Sequence, residues 1–365
     1  MILRLVWENV RFRPIRTLLS IMLIAVPVTL ILTLIGLSNG FVEDSKKRSA
    51  GVGADILIKP PGSALMSLSS GPLPEKLGEA LSKEPHVVIA TGTYVAPLPG
   101  GFDSVSGIDP AAFARMSGGF IFTEGHNFQR PDDMLVDTYY ARQHHLEAGS
   151  VTKVLNHEWH VAGVVEPGKL AHLFVQLHVL QDLLANNGRV SQFFVKLDNP
   201  NHTDEMVEYF KKKYDPDPVW SIREMQSLVS VDNIPLLATF IHVVIGIGVV
   251  IGFAVVSLSM YMAVLQRTRE IGILKSLGAT KGFVLELILA EATFLGFGGT
   301  VIGIVLSFVS RSVMQIVAPA SFPQAIVYSW WPIAGGIAMG AALMGALYPG
   351  MLAVRQDPIE ALAYE

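Results

Sequence analysis

Long runs without charge dominate the pattern of polar and apolar positions along this chain. Residues 17–42, 233–266 and 312–354 contain no Lys, Arg, Asp or Glu, and residues 287–310 are interrupted only by Glu291. Each run exceeds the roughly 20 apolar residues that an α-helix needs to cross the hydrocarbon core of a bilayer. The run at 312–354 is long enough to hold the end of one helix, a short apolar loop at 318–323 with Pro319 and Pro323, and a further helix from about Trp330. Inside a bilayer the backbone N–H and C=O groups must find partners within the segment, so such runs are helices. The pattern predicts four transmembrane helices, at 17–39, 236–264, 284–313 and 331–354. The first run has the basic flank of a signal peptide. It is too long for one and no small-residue cleavage site follows it, so it reads as an uncleaved anchor.

Basic residues give these helices a direction. Arg4, Arg11, Arg13 and Arg16 precede helix 1, and Arg267, Arg269, Lys275 and Lys281 lie between helices 2 and 3. Arg355 follows helix 4, whereas the helix 3–4 loop has no Lys or Arg beyond Arg311. The positive-inside rule then places both termini and the 265–283 segment in the cytoplasm of a bacterial inner membrane, and residues 40–232 outside. Within residues 1–16, Leu3, Val6, Trp7 and Val10 recur on one helical face, the signature of an amphipathic helix lying in the headgroup plane. Residues 355–365 form a cytoplasmic tail.

The outer segment is long enough for a core of its own. Strands are predicted at 54–59 and 87–95, with a helix at 75–82 that Pro74 can start. Short strands follow at 104–108, 134–136, 151–155 and 159–165, the last two joined by a turn at Asn156-His157. A strand at 192–197, a helix at 203–214, a strand at 219–222 and a helical lead at 223–231 complete it. A strand–helix–strand piece thus stands near each end of a β-rich middle, read as two half-repeats closing a bipartite domain. The expected fold class is an α-helical membrane protein with four transmembrane helices and a large extracytoplasmic α+β domain inserted between helices 1 and 2.

Composition narrows the chemistry. Of 365 residues 51% are hydrophobic and 16% charged, below the roughly one quarter of soluble domains. A net charge of −4 argues against nucleic acid as a partner, and the absence of cysteine excludes disulfides and thiolate chemistry. Small-x-x-x-small pairs occur in every span: Gly36/Gly40, Gly248/Gly252, Gly299/Gly303 and Gly336/Gly340, spacings that let helices pack closely against each other or against a second copy. Glu291 is the acid set well inside a span, and intramembrane acids are candidates for function. It also lies within reach of the cytoplasmic end of its helix. His157 and His160 are three apart on a strand and point to opposite faces, the wrong arrangement for a shared metal. His126, His144, His145, His172 and His178 give no recognised metal spacing, so no metal or cofactor is expected in this chain.

Residues 266–280 read QRTREIGILKSLGAT. This segment resembles the cytoplasmic coupling segment of the MacB/FtsX/LolC group of ABC transporter permeases. RPIRTLLS at 13–20 is similar to the start of their first helix, and Pro349 followed by RQDPIEAL at 355–362 to their C-terminal tail. The layout is similar as well: one span, a large external domain, then three spans. The resemblance implies a non-catalytic permease subunit working with LolD- or MacB-like ATPase subunits, a second permease copy, a periplasmic adaptor protein and membrane lipid. No G-x-x-x-x-G-K-[ST] phosphate loop occurs, so ATP and magnesium are expected on the partner ATPase. The implied function is mechanotransmission: ATP turnover moves the outer domain to export or extract an amphiphilic compound, lipid or lipoprotein. The alternative within the same group is an FtsX-like regulator that activates an extracytoplasmic cell-wall hydrolase. One haem exporter type belongs to the group, which leaves a haem contact for the outer histidines as a minor reading. A membrane-tethered sensor without an ATPase is a third reading, against which the coupling segment argues. In that segment Ile271, Leu274 and Leu277 are expected to fill a groove on the ATPase, with Arg269, Glu270 and Lys275 as a polar rim and Gly278 ending the helix.

Overall fold

The computed structural model describes residues 6, 8, 11, 12, 14–61, 72–99, 103–215, 217–230 and 235–355. The amphipathic helix expected at 1–16 and the tail at 355–365 lie largely outside the described residues. The chain divides into two compact units, residues 1–38, 235–313 and 324–365 in one and residues 39–234 with 314–323 in the other.

The first unit is helical. Among the described residues, four helices are long and apolar enough to cross a membrane: α1 (Pro14–Gly51), α8 (Pro235–Gln266), α10 (Lys281–Val317) and α11 (Trp330–Arg355). Large apolar side chains face outward as well as inward, Val250 and Leu258 being 66% exposed, as lipid-facing surfaces require. Helix α1 continues beyond the end expected at residue 39. Its charged last turns hold together through the i,i+4 pairs Lys47–Glu43 at 2.8 Å and Arg48–Asp44 at 2.9 Å, and this stretch belongs to the second unit.

Lipid offers little hydrophobic drive between helices, so close backbone approach and polar contacts hold the bundle. A Cβ added to Gly303 would fall 2.7 Å from Val28 Cβ, and one on Gly299 2.5 Å from Ile24 Cγ2, so α10 lies directly on α1 there. Gly36 brings α1 against the loop before α11, where the Ala325 N–H donates to the Gly36 carbonyl at 2.9 Å. Gly248 and Gly252 make ordinary contacts with Pro27 and Ala341. Gly40 is buried in the second unit. Gly336 and Gly340 have no described neighbour within 4 Å of an added Cβ, so of the two expected uses, packing within the chain or against a second copy, they do not serve the first among the described residues. Gly345 takes their place: the Ser257 hydroxyl of α8 donates to its carbonyl at 2.8 Å, and Phe253 O lies 2.7 Å from its would-be Cβ.

The second unit is α+β. Its strands are β1 (Ile56–Ile58), β2 (Leu73–Pro74), β3 (Val87–Pro97), β4 (Ser104–Ile108), β5 (Phe122–Gly125), β6 (Asp133–Asp137), β7 (Val151–Val154), β8 (His157–Val165), β9 (Leu173–Gln176), β10 (Arg189–Val190), β11 (Gln192–Leu197) and β12 (Val219–Ser221). Its helices are α2 (Leu77–Leu81), α3 (Pro110–Ser117), α4 (Thr138–His144), α5 (Leu177–Leu183), α6 (Thr203–Lys213) and α7 (Ile222–Leu228). The main sheet runs β12-β1-β11-β3-β4-β9-β6-β8-β5, with β7 paired to β8, and β2 pairs separately with β10. The two end pieces, β1-α2-β3 and β11-α6-β12, do not close separate halves. They interleave: β11 lies antiparallel between β1 and β3, and β12 flanks β1, the order of a split βαβ unit. The β-rich middle extends the same sheet.

Local chemistry explains the shifted boundaries. Pro74 is in β2 rather than at a helix start, because Leu73 and Pro74 pair with Val190 and Arg189. The β7–β8 hairpin turns at Leu155-Asn156, one residue earlier than expected, with φ of 53° and 63° as a two-residue primed turn demands. Asp109 caps α3 and Asp137 caps α4 through their carboxylates. Residues 314–323 complete this unit. Gln143 of α4 accepts from the N–H groups of Ala320 and Ser321 and donates to the Ser321 hydroxyl at 2.8 Å, and Ala320 is buried against Tyr140 and Trp159 in the core.

Two outcomes follow from this packing. Gly303→Val should destabilise the bundle by about 1–3 kcal/mol, the usual cost of overpacking, while Gly336→Ala and Gly340→Ala leave the unfolding midpoint in detergent unchanged. Lys59, which follows β1, is 5% exposed, and burial pushes its ammonium pKa down to about 8. The folded pKa lies below the unfolded value of about 10.4, so the cost of burying the charge is complete below pH 8 and fades as the pH rises past 10. Stability should therefore rise with pH between about 8 and 10.5, and Lys59→Met should remove that rise in paired denaturation curves.

Candidate functional site

The turn between α8 and α10 carries the densest polar chemistry of the helical unit. Helix α8 breaks at Arg267, whose φ of −118° and ψ of 16° redirect the chain, and α9 (Thr268–Ser276) follows at once. The Thr268 hydroxyl donates to the Val264 and Leu265 carbonyls and closes the end of α8. Gly278, at φ 93°, ends α9, with its N–H on the Lys275 carbonyl and the Ala279 N–H on that of Leu274. A left-handed residue here satisfies the last carbonyls, and glycine adopts that conformation without a Cβ penalty.

Helix α9 has two faces, which match the expected ones at Leu277, Arg269 and Glu270 and differ at Ile271, Leu274 and Lys275. Ile271 is 8% exposed and packs with Met260, Val264, Val284, Ile288 and Ala353 in the core of the bundle. Leu274 is half-buried and lines an open cleft of about 110 Å³ with Arg267, Leu287 and Glu291, the exposed Glu270 standing at its rim. The outward apolar residues are Ile273, 43% exposed, and Leu277, 80% exposed. Arg269 and Glu270 flank them and are exposed too. Sequence pattern missed Ile273 because Ile271/Leu274 and Ile273/Leu277 both satisfy helical spacing, and only the bundle decides which pair faces inward.

Two basic residues of the segment are internal ties. Lys275 does not form an outer rim: its Nζ donates to the Ala353 and Val354 carbonyls at 3.2 and 2.8 Å, capping the last turn of α11. A lysine at a helix C-terminus satisfies orphan carbonyls and meets the negative end of the dipole. Arg267 Nη1 donates to Glu291 Oε2 at 3.2 Å, and both side chains are nearly buried. Glu291, the intramembrane acid, is thus paired to the residue at the α8–α9 break. One short helix is fastened to α8 by chain, to α10 by an ion pair and to α11 by a cap.

The outer histidines mostly have ordinary partners. His172 is buried and pairs with Asp137 at 2.5 Å, His157 pairs with Asp132 at 2.9 Å, and His144 and His145 are exposed at the end of α4.

Four membrane-length helices, three of them tied at one end by the short helix α9, with an α+β domain inserted after the first, define a multi-pass membrane protein. Family models agree with that architecture: one for the MacB-like periplasmic core domain matches residues 17–213, and one for the FtsX-like permease C-terminal matches residues 242–358. The chain belongs to the MacB/FtsX family of ABC transporter permeases. An uncharacterized ABC transporter permease of Methanocaldococcus jannaschii is 24% identical over 68% of this chain and 66% of its own length. The Bacillus subtilis permease YknZ is 36% identical over 36% of this chain and 32% of its own. The macrolide export ATP-binding/permease protein MacB of Acinetobacter baylyi is 21% identical over 96% of this chain and 57% of its own. The chain thus spans only part of the length of these relatives. Among solved structures, the extracellular domain of YknZ is 12% identical with a TM-score of 0.36, covering 46% of this chain and 98% of that one. The periplasmic region of MacB from Actinobacillus actinomycetemcomitans is 12% identical with a TM-score of 0.37, covering 49% and 94%.

Removing one partner of a buried ion pair leaves the other uncompensated. Arg267→Ala and Glu291→Ala should each lower the unfolding midpoint in detergent, and the double variant should lose less than the sum, by about 1 kcal/mol or more. A double-mutant cycle on the purified protein reads this directly.

Proposed function

We propose that this chain is the membrane subunit of a MacB-like mechanotransmission transporter. An ABC ATPase on a partner chain would press on α9, and the motion would pass through the helices to the inserted domain, which acts on an amphiphilic compound, lipid or lipoprotein. The observation that carries this reading is the outward face of α9. Ile273 and Leu277 present apolar surface at i,i+4 spacing beside Arg269 and Glu270, on a helix held from behind by Lys275, Ile271 and the Arg267–Glu291 pair. An apolar patch with a charged rim is what docks in a groove on a soluble partner.

Rigid fastening matters for such a role. A push on a loosely held loop is lost in the loop; a push on a helix tied to α8, α10 and α11 moves all three. The arginine- and lysine-rich turn supports a cytoplasmic position for α9 in a bacterial inner membrane, with the inserted domain on the opposite side. A second copy of the permease would complete the assembly, as one ATPase pair closes on two such helices. A MacB-type core domain, matched over residues 17–213, favours a transporter over a regulator of a cell-wall hydrolase.

The test is association with the cognate ABC ATPase in detergent or nanodiscs. Ile273→Glu and Leu277→Glu should weaken ATPase binding at least tenfold and remove permease-dependent stimulation of ATP hydrolysis, with the unfolding midpoint unchanged. Leu274→Glu faces the cleft and should instead lower that midpoint. Wild-type affinity in the Ile273 and Leu277 variants would rule out this face as the docking surface.

A further inference from the structure

His86, Asp198 and His202 come together on the inserted domain from separate parts of the chain. His86 Nδ1 lies 3.0 Å from Asp198 Oδ2, and His202 Nδ1 lies 3.1 Å from Asp198 Oδ1. The two imidazole rings are 4.0 Å apart at 47°, and one ligand atom from each of the three residues falls within 4.8 Å of the others. We propose that these residues form a binding site for a divalent first-row transition ion of the zinc class.

The donor chemistry and the spacing both fit. Two imidazoles and one carboxylate are borderline ligands that suit zinc, nickel, cobalt or copper rather than calcium or magnesium. Bonds of about 2.0–2.2 Å to one ion put neighbouring ligand atoms about 3.3 Å apart, close to the distance of His86 Nδ1 from Asp198 Oδ2 and of His202 Nδ1 from Asp198 Oδ1, so the carboxylate offers one oxygen to each imidazole. The remaining ligand-atom separations, within 4.8 Å, close by rotation of side chains that are one third to one half exposed. That exposure leaves coordination positions for water.

The backbone beneath the cluster is built rather than loose. His86 immediately precedes β3 and Asp198 immediately follows β11, and the Asp198 N–H donates to the His86 carbonyl at 2.9 Å. His86 holds φ at 62°, a left-handed conformation that few non-glycine residues adopt. The ladder between the strands shifts register at Lys196/Leu197, next to the site. His202 stands in the short 3-10 turn at Pro200–His202, directly before α6. A bound ion would clamp the start of β3 to the end of β11 and the start of α6, His86 and Asp198 being 112 residues apart along the chain. The sequence hid this site because its ligands share no short motif: only Asp198 and His202 are near neighbours, and His86 reaches them through strand pairing.

The experiment is cobalt binding to the full-length protein in detergent, purified through a tag without histidine and stripped with a chelator. Titration with Co²⁺ should give the visible absorption of a four- or five-coordinate ion at one equivalent per chain, bleached by Zn²⁺. Zn²⁺ should also raise the unfolding midpoint. The double variant His86→Gln/His202→Gln, and Asp198→Asn separately, should bind at least tenfold more weakly, while His144→Gln/His145→Gln should match wild type. A wild-type protein with no such spectrum, or an unchanged affinity in the folded variants, would reduce the cluster to a hydrogen-bonded triad and overturn the assignment.

Discussion

The close approach of α1 and α10 is the constraint on which the helical unit depends. Without a solvent that repels them, apolar helices gain little from meeting unless their backbones come near enough for dense packing. Gly299 and Gly303 supply that nearness against Ile24 and Val28, and the Thr29 hydroxyl donates to the Gly303 carbonyl at 3.2 Å across the same seam.

At the other end of the bundle the polar groups divide their labour. Arg267, Lys275 and Glu291 spend their hydrogen bonds inward, on a neighbouring side chain or on the carbonyls that end α11. Arg269 and Glu270 remain at the surface with Ile273 and Leu277. A segment whose sequence reads as one charged loop is therefore two things back to back: an internal brace and an outward face.

How much of this was legible depended on the range of the interaction concerned. Four helices could be read because 17–42, 233–266 and 312–354 lack charge and 287–310 nearly does, a local property that a bilayer enforces. Strand β11 could be read from its own residues, and so could the strand–helix–strand pieces. Their interleaving could not, since nothing local says that Phe194 pairs with Leu57 on one side and Thr91 on the other. The family was visible in residues 266–280. Which of its apolar residues face outward was not, because Ile271 and Ile273 differ only in which side of α9 meets Val284 and Ile288. The histidine cluster depends on strand pairing and was invisible for the same reason.

The tie between Gln143 and residues 320–321 bears on how the protein is made. The inserted domain is assembled from two stretches of chain, 39–234 and 314–323, that are separated by two apolar helices in the order of synthesis. Ala320 fills part of the core beside Tyr140 and Trp159, so the domain stays unfinished after its own contiguous sequence has left the ribosome. It is completed only once α10 has been inserted and has delivered its far end. Biogenesis of the domain is thereby coupled to membrane insertion, and a domain excised at 43–232 would lack a piece of its own interior.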